Sequence, residues 1–331
     1  MNTFLRLFRL FLALLPPVAA SWCAGQTYKI TDLGDLPGGG FAQAQAISVS
    51  GQTTGMAGDA NGNGVVILYS NGKMADLGSL GGGKAIGNGI NKSAQIAGYS
   101  TNASGVYRAF VTVNGQLVDI GDLGGGSSAA TGLNDSGEVV GSSYLANGGG
   151  VVPFLYRNGK MISLGTLGGH GWSSANGINN AGVIAGTAWA SNGFFGFVWK
   201  NGKMKSLGTL GGQYSEAYAI NNKGQITGGA ATATGTWHAF ITSGGKLKDI
   251  GTLPKLASTG FAINDSGIVV GQNNNVAFVY DGKKTRNLNN LIPQNQGWDL
   301  YMATGINEAG QIVGYGTHNG TTLHAFLLTP K

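Results

Sequence analysis

The stretch Gly305-Ile-Asn-Glu-Ala-Gly-Gln-Ile-Val-Gly314 decides how this chain is read. A small residue, an aliphatic anchor and Asn lead through two residues to Gly; an aliphatic pair and a second Gly follow. The pattern occurs seven times, starting at Ala46, Gly89, Gly132, Gly177, Ala219, Ala262 and Gly305. The anchors Ile47, Ile90, Leu133, Ile178, Ile220, Ile263 and Ile306 are spaced by 43, 43, 45, 42, 43 and 43 residues. A fixed period of this size is the mark of a repeat architecture. Seven such units fill the chain from Tyr28 to its end, with no room for a linker or second domain.

Each unit reads as four short strands. The first carries the Ala-x-x-Ile-Asn segment. Asn-x-x-Gly then suits a type I turn, with Asn first and Gly fourth. The second strand is the alternation after it, as in Gln311–Gly314. The third ends in an aromatic: Phe110, Phe154, Phe197, Phe240, Phe278 or Phe326. Asn-Gly dipeptides at Asn71-Gly72, Asn114-Gly115, Asn158-Gly159 and Asn201-Gly202 are strong hairpin signals. A Met-x-Asp-Leu-Gly type segment makes the fourth strand, and Leu-Gly-Gly leads to the next unit.

Four strands in about 43 residues is the size of a β-propeller blade. The last unit stops after its third strand. The chain opens with Tyr28-Lys-Ile-Thr-Asp-Leu-Gly34, a fourth strand without its own first three. The fold expected is therefore all-β: a seven-bladed β-propeller of four-stranded blades. Its ring is closed by pairing of the N-terminal strand with the C-terminal blade, which removes exposed edges.

Composition agrees. Glycine supplies 61 of 331 residues, against a usual share of roughly 7 %. Charged residues are 10 %, against roughly 25 %. Long helical bundles are excluded, since each interior Gly costs about 1 kcal/mol. Collagen is excluded because no three-residue period exists. Most glycines fall at turn slots that need positive φ or close backbone approach.

Residues 1–25 read as a secretory signal peptide: Arg6 and Arg9, a short apolar run, then small residues. Residues 26–331 form one domain. Cys23 is the only cysteine, so the folded part has no disulfide. The expected address is secreted, periplasmic or extracellular. No membrane span is expected in the mature chain, and a monomer is expected. Losing Arg6 and Arg9 takes the formal charge from +6 to +4, too little for a nucleic-acid partner.

With its Asp-Leu-Gly-x-Leu-Gly-Gly and Ile-Asn-x-x-Gly segments, and His-Ala-Phe at His238–Phe240 and His324–Phe326, the chain resembles the bacterial HAF-repeat extracellular proteins. Degenerate copies stand at Arg108–Phe110 and Val276–Phe278. The resemblance covers nearly all of the mature chain and implies a secreted β-repeat protein. It implies no reaction and no site residues.

Antiparallel order puts the 1–2 and 3–4 turns on one face and the 2–3 and 4–1 loops on the other. The first face is uniform and carries Lys73, Lys160, Lys203, Lys246 and Lys283 as a solubilising rim. The second varies between units, and loops on a rigid scaffold usually carry function. It holds Trp172, Tyr214, Trp298, Trp189, Trp237 and Tyr144. Aromatics with a polar handle suit a sugar face, which needs stacking and a few directed hydrogen bonds. The function expected is binding of a glycan or a cell-envelope or extracellular protein there, without catalysis. The alternative is a polysaccharide lyase or hydrolase on the same face, using His170 with Glu216 or Asp299 as an acid–base pair. No nucleophile elbow, zinc helix motif or phosphate loop is present. No cofactor is expected. The string Asp59, Asn61, Asn63 matches the start of a calcium loop. Ser70 stands where the closing Glu is needed, and a plain Asn-Gly loop is the simpler reading.

Overall fold

The computed structural model describes residues 26–253, 257–320 and 322–331. Residues 1–25, read from sequence as a signal peptide, and with them Cys23, lie outside the described residues. Strand makes up 61 % of the described residues and helix 2 %. Among the described residues twenty-eight strands form five four-stranded sheets and one eight-stranded sheet. The larger sheet is two four-stranded units joined by a single bridge, Gly64 to Lys84. Each sequence repeat occupies one four-stranded unit. In the last, Trp298–Ile306, Ile312–His318 and Leu323–Pro330 are completed by Tyr28–Asp32. Tyr28 pairs with Pro330 and Asp32 with Phe326.

Within each unit the core aromatic of the third strand is fully buried, as at Phe110, Phe154, Phe197, Phe240, Phe278 and Phe326. Ile67 fills this slot in the first repeat. Removing one such side chain from water is worth about 2–3 kcal/mol. The rings belong to clusters that span neighbouring units; Phe240, for example, shares one with Ala185 of the preceding repeat.

The first strand of every repeat is the innermost, and every one carries a β-bulge at the same place. Gln45, Asn88, Thr131, Asn176, Tyr218, Phe261 and Thr304 are skipped by the pairing register. A bulge re-aims its side chain. These seven residues line one cavity of about 570 Å³.

The bulge explains the last glycine of the motif, which is not a turn residue. A Cβ on Gly186 would lie 2.2 Å from the Ser174 carbonyl oxygen and 2.8 Å from the Phe197 ring. The same collision stands at Gly314, 1.9 Å from the Met302 oxygen. The bulged strand and the core aromatic leave no room for a side chain.

The motif Asn does more than open a turn. Asn179 Oδ1 accepts from the Ala181 and Val183 amides at 3.1 and 3.0 Å. Its Nδ2 donates to the Asn221 carbonyl of the next repeat at 3.0 Å. The same inter-repeat bond runs from Asn91, Asn134, Asn221 and Asn264 to the next repeat, and from Asn307 to Ser48 of the first. Ser48 accepts from the Gln52 amide at 3.1 Å, holding its turn, but donates to no neighbouring repeat. A second series uses bulge residues: Asn88, Thr131, Asn176 and Thr304 donate to carbonyls of the following repeat, Thr304 to Ala44. Buried polar groups thus satisfy one another between units, as burial demands.

Candidate functional site

Five aromatics are more than one-third exposed among the described residues: Tyr107, Tyr144, Trp172, Trp189 and Tyr214. All five come from 2–3 or 4–1 connections or the strand ends beside them, so they share the variable face. They run through consecutive repeats, from the second to the fifth. Trp172 and Tyr144 are about half exposed, at 52 % and 51 %.

Tyr144 and Trp172 line one open pocket of about 300 Å³ with Tyr99, Tyr107, Ser142 and Val151. The second strand of the second repeat, Ile96–Asn102, supplies Tyr99, and the third strand, Tyr107–Val113, supplies Tyr107. Their rings meet edge to face, centroids 5.6 Å apart. Burial, and then the nearby Tyr107, push the Tyr99 hydroxyl pKa up. It therefore stays a neutral donor and acceptor at any physiological pH. Ser127 and Ser128 form the floor; their hydroxyls donate to the Tyr107 and Gly121 carbonyls. The pocket combines apolar ring faces with neutral hydrogen-bonding groups and contains no charged side chain.

Trp189 and Tyr214 form a second group around Phe194. Tyr214 stacks on Phe194 at 4.7 Å, and Trp189 tilts against it at 5.9 Å. Gly171, next to Trp172, lies against the Trp189 ring, where a Cβ would come within 2.3 Å. The two groups therefore adjoin.

Trp237 and Trp298 do not join this surface group. Trp237 Nε1 donates to Thr259 Oγ1 of the next repeat at 3.1 Å, and its ring covers Gly229. It reaches from its own repeat to the next. Trp298 stacks on His318 at 4.6 Å, nearly parallel.

The proposed acid–base pair is not assembled. His170 lines a different pocket, with Ser163, Thr166 and several glycines and no carboxylate. Glu216 instead accepts from the Tyr218 hydroxyl, next to the axial cavity. Burial, then this carboxylate, raise the Tyr218 pKa. Asp299 sits exposed on the first strand of the last repeat, opposite Thr317. The three candidates belong to different repeats, and the fold separates them.

Asp59 is occupied by its own loop. Oδ1 accepts from the Asn61 and Asn63 amides, both at 2.8 Å, and Oδ2 from Asn63 Nδ2 at 2.9 Å. Donors, not acceptors, converge here, the opposite of a cation cage. The hydrogen bonds from Asn63 lead in lowering the Asp59 pKa.

The histidine of the His-Ala-Phe triplet has a partner that sequence reading left unassigned: the fourth-strand Asp. His238 Nδ1 lies 2.7 Å from Asp249 Oδ2, and Arg108 Nε 2.8 Å from Asp119 Oδ2. The other oxygen of each Asp accepts an amide two residues on, from Gly251 and Gly121. Where the basic residue is replaced by Val152 or Phe195, the partner is Ser163 or Ser206, which keep only that turn bond. Part of the signal was in the sequence as this joint variation; the first repeat departs from it, keeping Asp76 with Val65 at the basic position.

No helix among the described residues is long and apolar enough to cross a membrane. No protein-family model and no curated protein matches the chain. Solved structures do. TolB from Acinetobacter baumannii aligns at 11 % identity and TM-score 0.52, over 85 % of this chain and 64 % of that one. An acylaminoacyl peptidase from Pyrococcus horikoshii aligns at 12 % and 0.55, over 88 % and 52 %. The extracellular domain of BT4673 from B. thetaiotaomicron aligns at 11 % and 0.51, over 91 % and 40 %. The chain thus spans less than two thirds of the length of each of these three. At such identity the likeness shows the fold alone, and that fold is a β-propeller.

Proposed function

We propose that this chain is a seven-bladed, ring-closed propeller of the HAF-repeat type. In this reading it is exported and binds a glycan, without catalysis, in the pocket of Tyr99, Tyr107, Tyr144 and Trp172. Ring closure is supported by the pairing of Tyr28–Asp32 with Leu323–Pro330 and by the bonds from Thr304 and Asn307 to the first repeat. The leader-like residues 1–25 support export.

The observation that carries the glycan reading is the pocket itself. Half-exposed Trp172 and Tyr144 flank about 300 Å³ of open space lined by rings and neutral hydroxyls. Sugar rings present apolar C–H faces and neutral hydroxyls, so stacking and neutral hydrogen bonds match them. The absence of charge in this lining favours neutral over acidic sugars. An envelope protein is the competing occupant, and the test separates the two.

Neutral polysaccharides and oligosaccharides are screened on an array, and hits are titrated by calorimetry. Trp172→Ala with Tyr144→Ala should abolish binding, since losing each stacked aromatic costs about 1–2 kcal/mol or more. Trp237→Phe should leave binding intact. Glycan binding that survives the double substitution refutes the site. No glycan binding together with capture of an envelope protein through Trp172 refutes the ligand class.

A further inference from the structure

We propose that Asp32, His318 and His324 form a binding site for one divalent transition-metal ion of the zinc class. The ion would fasten the N-terminal strand to the last repeat. Among the described residues this is the one set of three such side chains whose ligand atoms lie within 4.8 Å of one another.

The site grows out of the repeat but exceeds it. His324 and Asp32 are the local copy of the cross-strand pair seen at His238–Asp249. Asp32 Oδ1 accepts the Gly34 amide at 2.9 Å, as elsewhere in the repeats. His318 is the addition. It stands twelve positions past the anchor Ile306, where the other repeats have Asp59, Asn102, Leu145, Ala190, Thr232 and Asn275.

The geometry brings three potential ligand atoms together. Both imidazole Nδ1 atoms lie 3.1 Å from the same carboxylate oxygen, Asp32 Oδ2. Ligand atoms on a tetrahedral ion with bonds of 2.0–2.1 Å are about 3.3 Å apart. The two nitrogen–oxygen separations are within a few tenths of an ångström of that tetrahedral edge, and all three ligand atoms lie within 4.8 Å of one another. The side chains keep 31 %, 28 % and 23 % of their surface exposed, in the order Asp32, His318, His324, so an ion has an entry path. Trp298 stacks flat on His318, centroids 4.6 Å apart, and meets His324 edge-on at 6.1 Å. These contacts fix both ring planes before any ion arrives. Two imidazoles and one carboxylate select Zn²⁺, Co²⁺, Ni²⁺ or Cu²⁺ over the oxygen-seeking Ca²⁺ and Mg²⁺. Each ring would carry its proton on Nε2, leaving Nδ1 to the metal. The ligands lie 286 residues apart in sequence, and clips that close long loops constrain the unfolded chain most.

Untagged protein is freed of metal with EDTA, dialysed and titrated with Zn²⁺ by calorimetry. One Zn²⁺ per chain and a rise in Tm are expected. His318→Ala keeps the Asp32–His324 pair and should weaken Zn²⁺ binding more than about 100-fold, beyond what losing an outer partner costs. His238→Ala should change nothing. Cu²⁺ should quench a fraction of the tryptophan emission, and Trp298→Phe should remove that fraction while binding remains. No saturable Zn²⁺ binding, binding that survives His318→Ala, or equal binding of Ca²⁺ overturns the proposal. Should His318→Ala fail to fold, the Cu²⁺ quenching of wild type against Trp298→Phe decides.

Discussion

Replacing Asn179 by Ala tests whether the motif asparagines hold one repeat to the next. Asn179 is 4 % exposed and makes three side-chain hydrogen bonds, two to its own turn and one to Asn221 of the next repeat. The Asn221 carbonyl also accepts the Gly224 amide, so it keeps a partner when Asn179 is cut back. The loss is then the net worth of three bonds, about 1 kcal/mol each, or about 3 kcal/mol. Unfolding entropy of about 2.1 cal/mol/K per residue over about 300 residues turns this into a Tm lower by about 5 °C. Ser48 shows what serine does in the same slot: it keeps the turn bond and makes no inter-repeat one. Asn179→Ser should therefore keep one bond of three and lower Tm by about 3 °C. Calorimetric melting of the three proteins reads both values. An Ala variant within about 1 °C of wild type, or a Ser variant no better than Ala, would refute the clasp.

Gly186→Ala should cost about 3 kcal/mol or more through its collision with the Ser174 oxygen and Phe197 ring, or prevent folding. Gly202→Ala, at φ +77° in open space, should cost only the left-handed strain of about 1–2 kcal/mol; denaturant midpoints rank the two. Burial raises the Asp122 pKa, but the Gly126 amide, the Arg108 guanidinium and the Gly124 amide together bring it below the ordinary range. A depressed folded pKa gives stability that is present above the unfolded value of about 3.9 and lost as pH falls through the folded value. Asp122→Asn should thus flatten the acid limb of stability in urea midpoints taken from about pH 5 to about pH 2. The exposed His238–Asp249 pair should show a coupling below about 1 kcal/mol in a double-mutant cycle.

Much of the fold was legible because repetition amplifies local signals. The Asn-Gly hairpins, the Phe slots and the Ile-Asn-x-x-Gly turns each mean little alone, and seven copies at a steady spacing fix four strands per unit. The variable face was also legible, since Tyr144, Trp172, Trp189 and Tyr214 interrupt an otherwise uniform repeat. Their grouping was not. Trp172 shares a pocket with Tyr99, a strand residue 73 positions away that carries no loop signal. Trp237 looked equivalent to them and packs between units instead.

The sequence by itself determined the repeat, its four strands and the complementarity of Tyr28–Gly34 to the final repeat. These follow from period-two alternation and turn chemistry, which act over a few residues. The tertiary structure alone decided which strand lies innermost, which residue bulges toward the axis, and which partner each asparagine reaches. It also brought Asp32 to His318 across 286 residues. Such contacts depend on how units stack and on where the chain's two ends meet, and no local pattern encodes that distance.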